Sequence, residues 1–176
     1  VDFHGYELPI WYSSIQEEHL ATRSSAGLFD VSHMGLFRFQ GGEVRSWLSS
    51  VSTQEYMKFQ PGRCGYTHFL DHDGRIIDDM IFAVSSESEV LGVPNSTMVG
   101  IMFQWLSDQL PSDGSVIILD VSDETSIIAL QGPLSGKIIS EVLGFDNVVG
   151  VFRCQEIEQN ELGISGWIQG TGYTGE

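Results

Sequence analysis

Two adjacent carboxylates, Asp78 and Asp79, interrupt a segment (75–84) that is otherwise apolar and typical of a β-strand. Successive strand residues point to opposite faces, so one carboxylate can lie in water while the other faces the core or a cavity. An unpartnered buried carboxylate is costly, so the inward one needs a donor from the protein or from a ligand. Beside a pocket, such an acid is a candidate functional residue. The alternative is that the pair marks a solvated strand end or a bulge.

Other side chains with useful chemistry lie near predicted strand ends and in loops. Asn95 follows a predicted strand, where it could cap a helix or offer a donor and an acceptor to a heterocycle. Tyr66 lies on the strand predicted to pair with that of Asp79, and Met34 and Tyr173 lie in predicted loops. Taken singly, each residue has an ordinary explanation as a turn residue, a half-buried aromatic or loop packing.

The elements that must position these residues follow from hydrophobic periodicity and turn residues. A capping box at Ser14 and Glu17 starts a helix that Gly27 should stop, and Asp73-Gly74 predicts a hairpin. Predicted helices cover 14–26, 43–51, 96–110 and 134–143, and predicted strands cover 28–40 with a break at 30–35, 63–70, 75–84, 89–93, 116–121, 126–130, 148–152 and 162–169. This order predicts an α+β fold of mainly antiparallel sheets with packed helices, in one unit with a second beginning near Val121.

Composition excludes several classes of function. With 41% hydrophobic residues the 176-residue chain can bury a core, and no apolar run approaches the ~20 residues that span a bilayer. The N-terminus has no signal-peptide pattern, so we expect a soluble cytoplasmic protein. Because the sequence stops inside a Gly/Thr-rich turn, we also expect more chain after Glu176. A net charge of −16, from 24 acidic and 8 basic residues, opposes binding to nucleic acid and anionic membranes and fits a salt-adapted prokaryote.

Metal, disulfide and phosphate sites are not predicted. Cys64 and Cys154 are isolated in the sequence and are expected to be buried thiols. The five histidines are scattered and none has metal-ligand spacing, so we predict no metal. The glycine-rich run 170–175 is followed by no helix, which argues against a nucleotide phosphate loop.

Five segments stand in an order that resembles the aminomethyltransferase (T-protein) family of the glycine cleavage system. They are Asp2-Phe3-His4-Gly5-Tyr6-Glu7-Leu8-Pro9, Gly27-Leu28-Phe29-Asp30-Val31-Ser32-His33-Met34-Gly35, Gly74-Arg75-Ile76-Ile77-Asp78-Asp79, Ala129-Leu130-Gln131-Gly132-Pro133 and Gly172-Tyr173-Thr174-Gly175-Glu176. The resemblance implies transfer of a one-carbon unit from aminomethylated, lipoyl-bearing H-protein to tetrahydrofolate, with release of ammonia. It also implies that residues 1–176 are the N-terminal folate-binding half of a three-domain fold, a first domain with part of a second, and that the C-terminal domains are absent.

Residue by residue, the resemblance makes Asp79 the catalytic carboxylate, facing inward to the folate, while Asp78 points outward and is structural. The folate-contacting positions that it implies are Met34, Tyr66, Val93, Asn95 and Tyr173. Two positions depart from the family pattern, since Ser96-Thr97-Met98 follows Asn95 and Gln169-Gly170 precedes Thr171.

Two other functions remain open on the sequence. A folate-dependent demethylase, or the folate domain of a sarcosine- or dimethylglycine-oxidising enzyme, would share this site. A non-catalytic folate-binding factor for iron–sulfur assembly would share the scaffold, but its Lys-Gly-Cys-Tyr-x-Gly-Gln segment has only a loose counterpart at 62–66. Because folate carries anionic carboxylates, we also expect the isolated acidic chain to bind it poorly and not to be fully active.

Overall fold

The computed structural model describes residues 1–3, 5–144, 149–159 and 163–175. Its strands are β1 (Asp2–Phe3), β2 (Tyr6–Glu7), β3 (Gly27–Asp30), β4 (Phe37–Gln40), β5 (Arg63–Leu70), β6 (Ile76–Ser86), β7 (Glu89–Val93), β8 (Ile117–Asp120), β9 (Ile128–Gln131), β10 (Cys154–Ile157) and β11 (Gly166–Gln169). Its α-helices are α1 (Ile15–Ser24), α2 (Val44–Val51), α3 (Val99–Asp108) and α4 (Ser135–Leu143), and 3-10 turns cover Tyr56–Lys58, Ser96–Met98 and Ser122–Glu124. The α+β prediction is confirmed, and none of the helices in these ranges has the length and apolar character to cross a bilayer.

A five-stranded antiparallel sheet forms the centre, in the order β5-β6-β7-β4-β8. One of its faces packs on α2 and α3, because alternate residues of its central strands are large and apolar. This core face is built from Phe37, Phe39, Met80, Phe82, Val84 and Val90, with Val44, Trp47, Leu48, Met102 and Leu106 from the helices.

The opposite face of the sheet is also covered. A smaller buried cluster of Leu36, Cys64, Ala83, Leu91 and Cys154 lies here, with Val121, Ile127 and Trp167 packed against it. The covering segments include the antiparallel pair β10 with β11, while β3 and β9 form a separate antiparallel pair. An isolated antiparallel bridge between Arg63 and Arg153 joins the edge of the central sheet to this layer.

The β5–β6 hairpin closes as its Asp-Gly turn predicts. The Asp71 carboxylate accepts from the Asp73 and Arg75 amides, each at 2.9 Å, and Gly74 takes the left-handed conformation at φ 78°. The register then shifts: Leu70 pairs with Ile76, but Phe69 pairs with Asp78. One residue of β6, Ile77, is therefore extra, and this β-bulge directly precedes the two carboxylates.

The N-terminal helix is shorter than predicted and is capped differently. It ends at Ser24, and the Ser25 amide bonds to the Ala21 carbonyl. The Ser14 hydroxyl accepts from the Glu17 amide at 3.2 Å, as the capping box predicts. Glu18 is the acid that reaches back, accepting from the Tyr12 and Ser13 amides at 2.6 Å each.

The strand predicted at 148–152 is wrong over its described part. Residues 150–153 form a turn closed by a hydrogen bond from the Arg153 amide to the Gly150 carbonyl at 3.0 Å, with Phe152 at φ 52°, and the strand begins instead at Cys154. Its partner β11 matches the end of the strand predicted at 162–169. His4, Val148, Leu162 and Glu176, which other predictions include, lie outside the described residues.

Candidate functional site

Asp78 and Asp79 point to opposite faces of β6, as alternation predicts. Asp78 shares the core face with Met80 and Phe82 and is only 8% exposed. Asp79 lies opposite His68 of β5, on the other face of the sheet. The expectation that Asp78 points outward is therefore wrong, because the large apolar residues at 80 and 82 fix its side of the strand as the core side.

Asn95 continues the sheet beyond the end of β7. Ile81 pairs with Val93, so the same register places Asn95 opposite Asp79, but Pro94 has no amide to donate and the backbone ladder stops. The Asn95 side chain takes over: its Nδ2 donates to the Asp79 carbonyl oxygen at 3.1 Å and to Asp78 Oδ1 at 2.8 Å. The predicted helix cap is not its role, since its side chain makes no capping bond.

Two tyrosines complete this end of the sheet. The Tyr173 hydroxyl donates to Asn95 Oδ1 at 3.4 Å, although the two residues are 78 positions apart. A hydrogen bond with the Asp79 carboxylate raises the pKa of the Tyr66 hydroxyl. Burial, and then the charges of Asp79 and Asp78, raises the pKa of Tyr173. Tyr66 and Tyr173 are 43% and 55% exposed as whole residues, so both side chains are accessible to a ligand.

Val93 and Met34 lie beside this group. Val93 pairs with Ile81 and so shares the face of Asp79. Met34 is 5% exposed, and its neighbour Gly35 lies so close to the end of β7 that an added Cβ would be 3.0 Å from Pro94. The structure thus brings Asp79, Tyr66, Asn95 and Tyr173 together, with Val93 on the same face and Met34 in the adjoining loop.

Two participants were missed by the sequence reasoning. Asp78 bonds directly to the Asn95 amide, although it was expected to point away. His68 lies opposite Asp79, and its ring meets that of Tyr66 edge-on at 5.0 Å. The spacing of Tyr66 and His68, two residues apart on one strand, is a signal that could have found the histidine.

We call Asp79, Tyr66, Asn95 and Tyr173 the carboxylate–amide site. It presents a carboxylate and an amide oxygen as acceptors, two phenols, and exposed ring faces, which suit a planar heterocycle with N–H donors or positive charge. Within the described ranges, no three histidines, cysteines or acids are grouped as they would be to hold a metal ion.

Comparison with known proteins places the whole chain in one family. The sequence pattern of the GCVT N-terminal domain matches residues 1–176. The aminomethyltransferases of Anoxybacillus flavithermus (strain DSM 21510 / WK1) and Geobacillus thermodenitrificans (strain NG80-2) are 36% and 37% identical to this chain over 176 and 177 residues. These alignments cover 100% of this chain and 48% of each relative, so the chain spans about half the length of the curated relatives that it matches.

A solved structure agrees in fold. The crystal structure of glycine cleavage system aminomethyltransferase T from Bartonella henselae superposes with a TM-score of 0.83 at 26% identity, over 90% of this chain and 44% of that one. The sequence match covers every segment that builds the carboxylate–amide site. The chain therefore belongs to the GCVT N-terminal domain family, which it shares with these aminomethyltransferases.

Proposed function

We propose that this chain is the folate-binding and catalytic region of a glycine cleavage system aminomethyltransferase. The enzyme takes the aminomethyl group carried by the lipoyl arm of H-protein and transfers its one-carbon unit to tetrahydrofolate, which gives 5,10-methylenetetrahydrofolate, ammonia and dihydrolipoyl H-protein. The observation that carries the proposal is the convergence of Asp79, Tyr66, Asn95 and Tyr173 at one end of the sheet.

Each member of the site has a role that suits a reduced pterin. Tyr66 and Tyr173 supply aromatic surface and hydroxyls, and Val93 and Met34 supply apolar wall. Asn95 offers its carbonyl oxygen to a ligand N–H group. The Asp79 carboxylate orients a folate nitrogen and stabilises the positive charge that develops while the one-carbon unit is transferred.

The site draws on both parts of the proposed domain organisation. Residues 1–120 supply the central sheet with Asp79, Tyr66 and Asn95, and a second unit beginning near Val121 supplies Tyr173. The anionic glutamyl tail of folate is opposed by the net charge of −16, so its binding calls for basic groups outside residues 1–176. We accordingly expect weak binding of tetrahydrofolate to the isolated chain in calorimetry. Tight binding would contradict the proposal that groups outside residues 1–176 bind the glutamyl tail.

The decisive experiment compares Asp79→Asn with Asp78→Asn in the complete gene product. With aminomethylated H-protein and tetrahydrofolate, ammonia release should fall about 10²-fold or more in Asp79→Asn, because the positioned negative charge is lost. Asp78→Asn should stay within about threefold of the wild type, because an amide oxygen can still accept from Asn95. Full activity in Asp79→Asn would remove this residue from the mechanism.

Replacing the carbon donor tests the alternative reaction. The same enzyme is supplied with sarcosine or dimethylglycine in place of aminomethylated H-protein, and both methylenetetrahydrofolate and 5-methyltetrahydrofolate are measured. Direct methyl transfer would give 5-methyltetrahydrofolate, whereas methylenetetrahydrofolate from a methylated amine needs a two-electron acceptor, which is added in a parallel assay. We expect turnover only with the H-protein. Turnover only with the methylated amines would instead identify a demethylase.

A further inference from the structure

Asp78 is a buried carboxylate that reduces the free energy of unfolding at its position in β6. It is 8% exposed, lies on the core face opposite Phe69, and its Oδ2 atom is buried without a hydrogen-bond partner among the described residues. Burying a carboxylate oxygen in this way costs free energy that an apolar side chain would not lose. Its side-chain contact toward the carboxylate–amide site is the bond from Asn95 Nδ2 to Oδ1, at 2.8 Å.

That bond fixes which end of the Asn95 amide faces the site. Nδ2 is held by two acceptors, Asp78 Oδ1 and the Asp79 carbonyl oxygen at 3.1 Å. Rotating the amide by half a turn would place its oxygen against both acceptors and replace two attractions with two repulsions. The amide oxygen is therefore left facing the Tyr173 hydroxyl and the site.

We propose that Asp78 is a positioning residue, which locks the Asn95 amide so that the site presents an acceptor, and not a donor, at this point. The bound heterocycle must then direct an N–H group toward Asn95. A ligand with a bare ring nitrogen or a carbonyl oxygen there would meet another acceptor and be rejected. This inference rests on the proposed function, since tetrahydrofolate is the ligand used to test it.

The test is a double-mutant cycle in the complete gene product. Asp78→Ala removes one of the two acceptors that hold the Asn95 amide and leaves the Asp79 carbonyl oxygen, so the rotated amide becomes less unfavourable. The KM for tetrahydrofolate should rise about three- to tenfold, which corresponds to the loss of one oriented hydrogen bond, while kcat changes less than twofold. Asn95→Ala should raise KM at least as much. Adding Asp78→Ala to Asn95→Ala should raise it no further, because Asp78 acts through Asn95.

Two controls separate positioning from general damage. Asp78→Asn keeps an acceptor and should recover most of the affinity that Asp78→Ala loses. Asp73→Ala removes the same charge from the exposed hairpin turn, where the acid pairs with Arg75, and should leave KM unchanged.

The outcomes distinguish this inference from the proposed function. If the wild type neither binds tetrahydrofolate nor releases ammonia, the proposed function fails. The positioning role is refuted if the wild type is active and Asp78→Ala has the wild-type KM for tetrahydrofolate. It is also refuted if the KM of the double variant rises by the product of the increases in Asp78→Ala and Asn95→Ala, since the two residues would then act independently. Asp78→Asn as poor as Asp78→Ala would likewise refute it, since the negative charge and not the acceptor would then be what matters.

Discussion

Gly92 sits where the central sheet has no room for a side chain. It pairs with Phe37 on one side and Phe82 on the other, and these residues share its core-facing side. A Cβ at Gly92 would lie 2.6 Å from Cε1 of Phe82 and 3.0 Å from the Met80 sulfur. Carbon atoms in contact normally stay about 3.5–4.0 Å apart, so in Gly92→Ala the Phe82 ring must move by about 1 Å.

The surrounding rings give Phe82 little freedom to move. It is fully buried, and its ring centroid is 5.5 Å from that of Phe39, 5.6 Å from Tyr56 and 6.0 Å from Phe69. Overpacking of this kind costs about 1–3 kcal/mol, while the loss of glycine's freedom in the unfolded chain returns about 0.4–1 kcal/mol. At the middle of both ranges the net loss is about 1.3 kcal/mol, which should lower the Tm by about 3–5 °C.

A matched glycine supplies the control. Gly100 lies in α3, is exposed, and has nothing within 4 Å of an added Cβ. Gly100→Ala should therefore not lower the Tm and should raise it slightly, because alanine has the higher helix preference; in a helix interior that preference is worth about 1 kcal/mol, and Gly100 is the second residue of α3. Thermal unfolding followed by circular dichroism measures both variants, and the truncation Phe82→Leu should make Gly92→Ala less costly. A Tm of Gly92→Ala at or above that of the wild type would refute the packing argument.

Three further measurements test other parts of the structure. Burial raises the pKa of Asp78 above its ordinary 3.8. Protonated Asp78 therefore stabilises the folded state fully below pH 3.8, and this contribution to the free energy of unfolding is lost as the pH rises through the folded-state pKa. In urea unfolding, Asp78→Asn should therefore gain stability relative to the wild type as pH rises over this window, and a constant difference would contradict the burial. Tyr56→Phe removes a fully buried hydroxyl that donates to the Gly65 carbonyl at 3.1 Å, and urea unfolding should show a loss of about 1–2 kcal/mol. Cys64 and Cys154 are both buried, and the hydrogen bond between them raises the pKa of Cys64 while it lowers the pKa of Cys154. Because burial denies a reagent access to both thiols, a disulfide reagent should label neither cysteine in the native protein and both in urea; rapid native labelling would show that the two thiols are accessible.

Local signals predicted the elements around the hairpin well. The strands at 63–70 and 89–93 have their predicted bounds, because alternation and an Asp-Gly turn act within a few residues of each other. The helix at 135–143 ends on Gly144, whose φ of 72° is the left-handed cap that the sequence indicates. Nothing local could pair β3 with β9 or bring Cys64 beside Cys154, because these contacts join segments about a hundred or ninety residues apart.

The four residues of the carboxylate–amide site were named from the sequence, but their geometry and the contacts of Asp78 and His68 were not. Alternation separates Asp78 from Asp79, yet it does not say which side is the core, because Met80 and Phe82 on one side and Ile81 and Ala83 on the other are all apolar. A sheet covered on both faces loses the pattern that would distinguish them. The direction of the Asn95 amide is set by the ends of two strands meeting, and no single segment encodes it.

The bulge at Ile77 allows the register set by the hairpin turn and the burial of Met80 to occur in the same strand. The turn after Leu70 starts the hairpin in a register that, continued, would place Asp79 opposite Thr67 on the core side and Asp78 opposite His68. Such a one-residue slip would also turn Met80 out of the core. The single extra residue resets the phase of the strand, so the β-bulge, and not the two acids, decides which carboxylate faces the carboxylate–amide site.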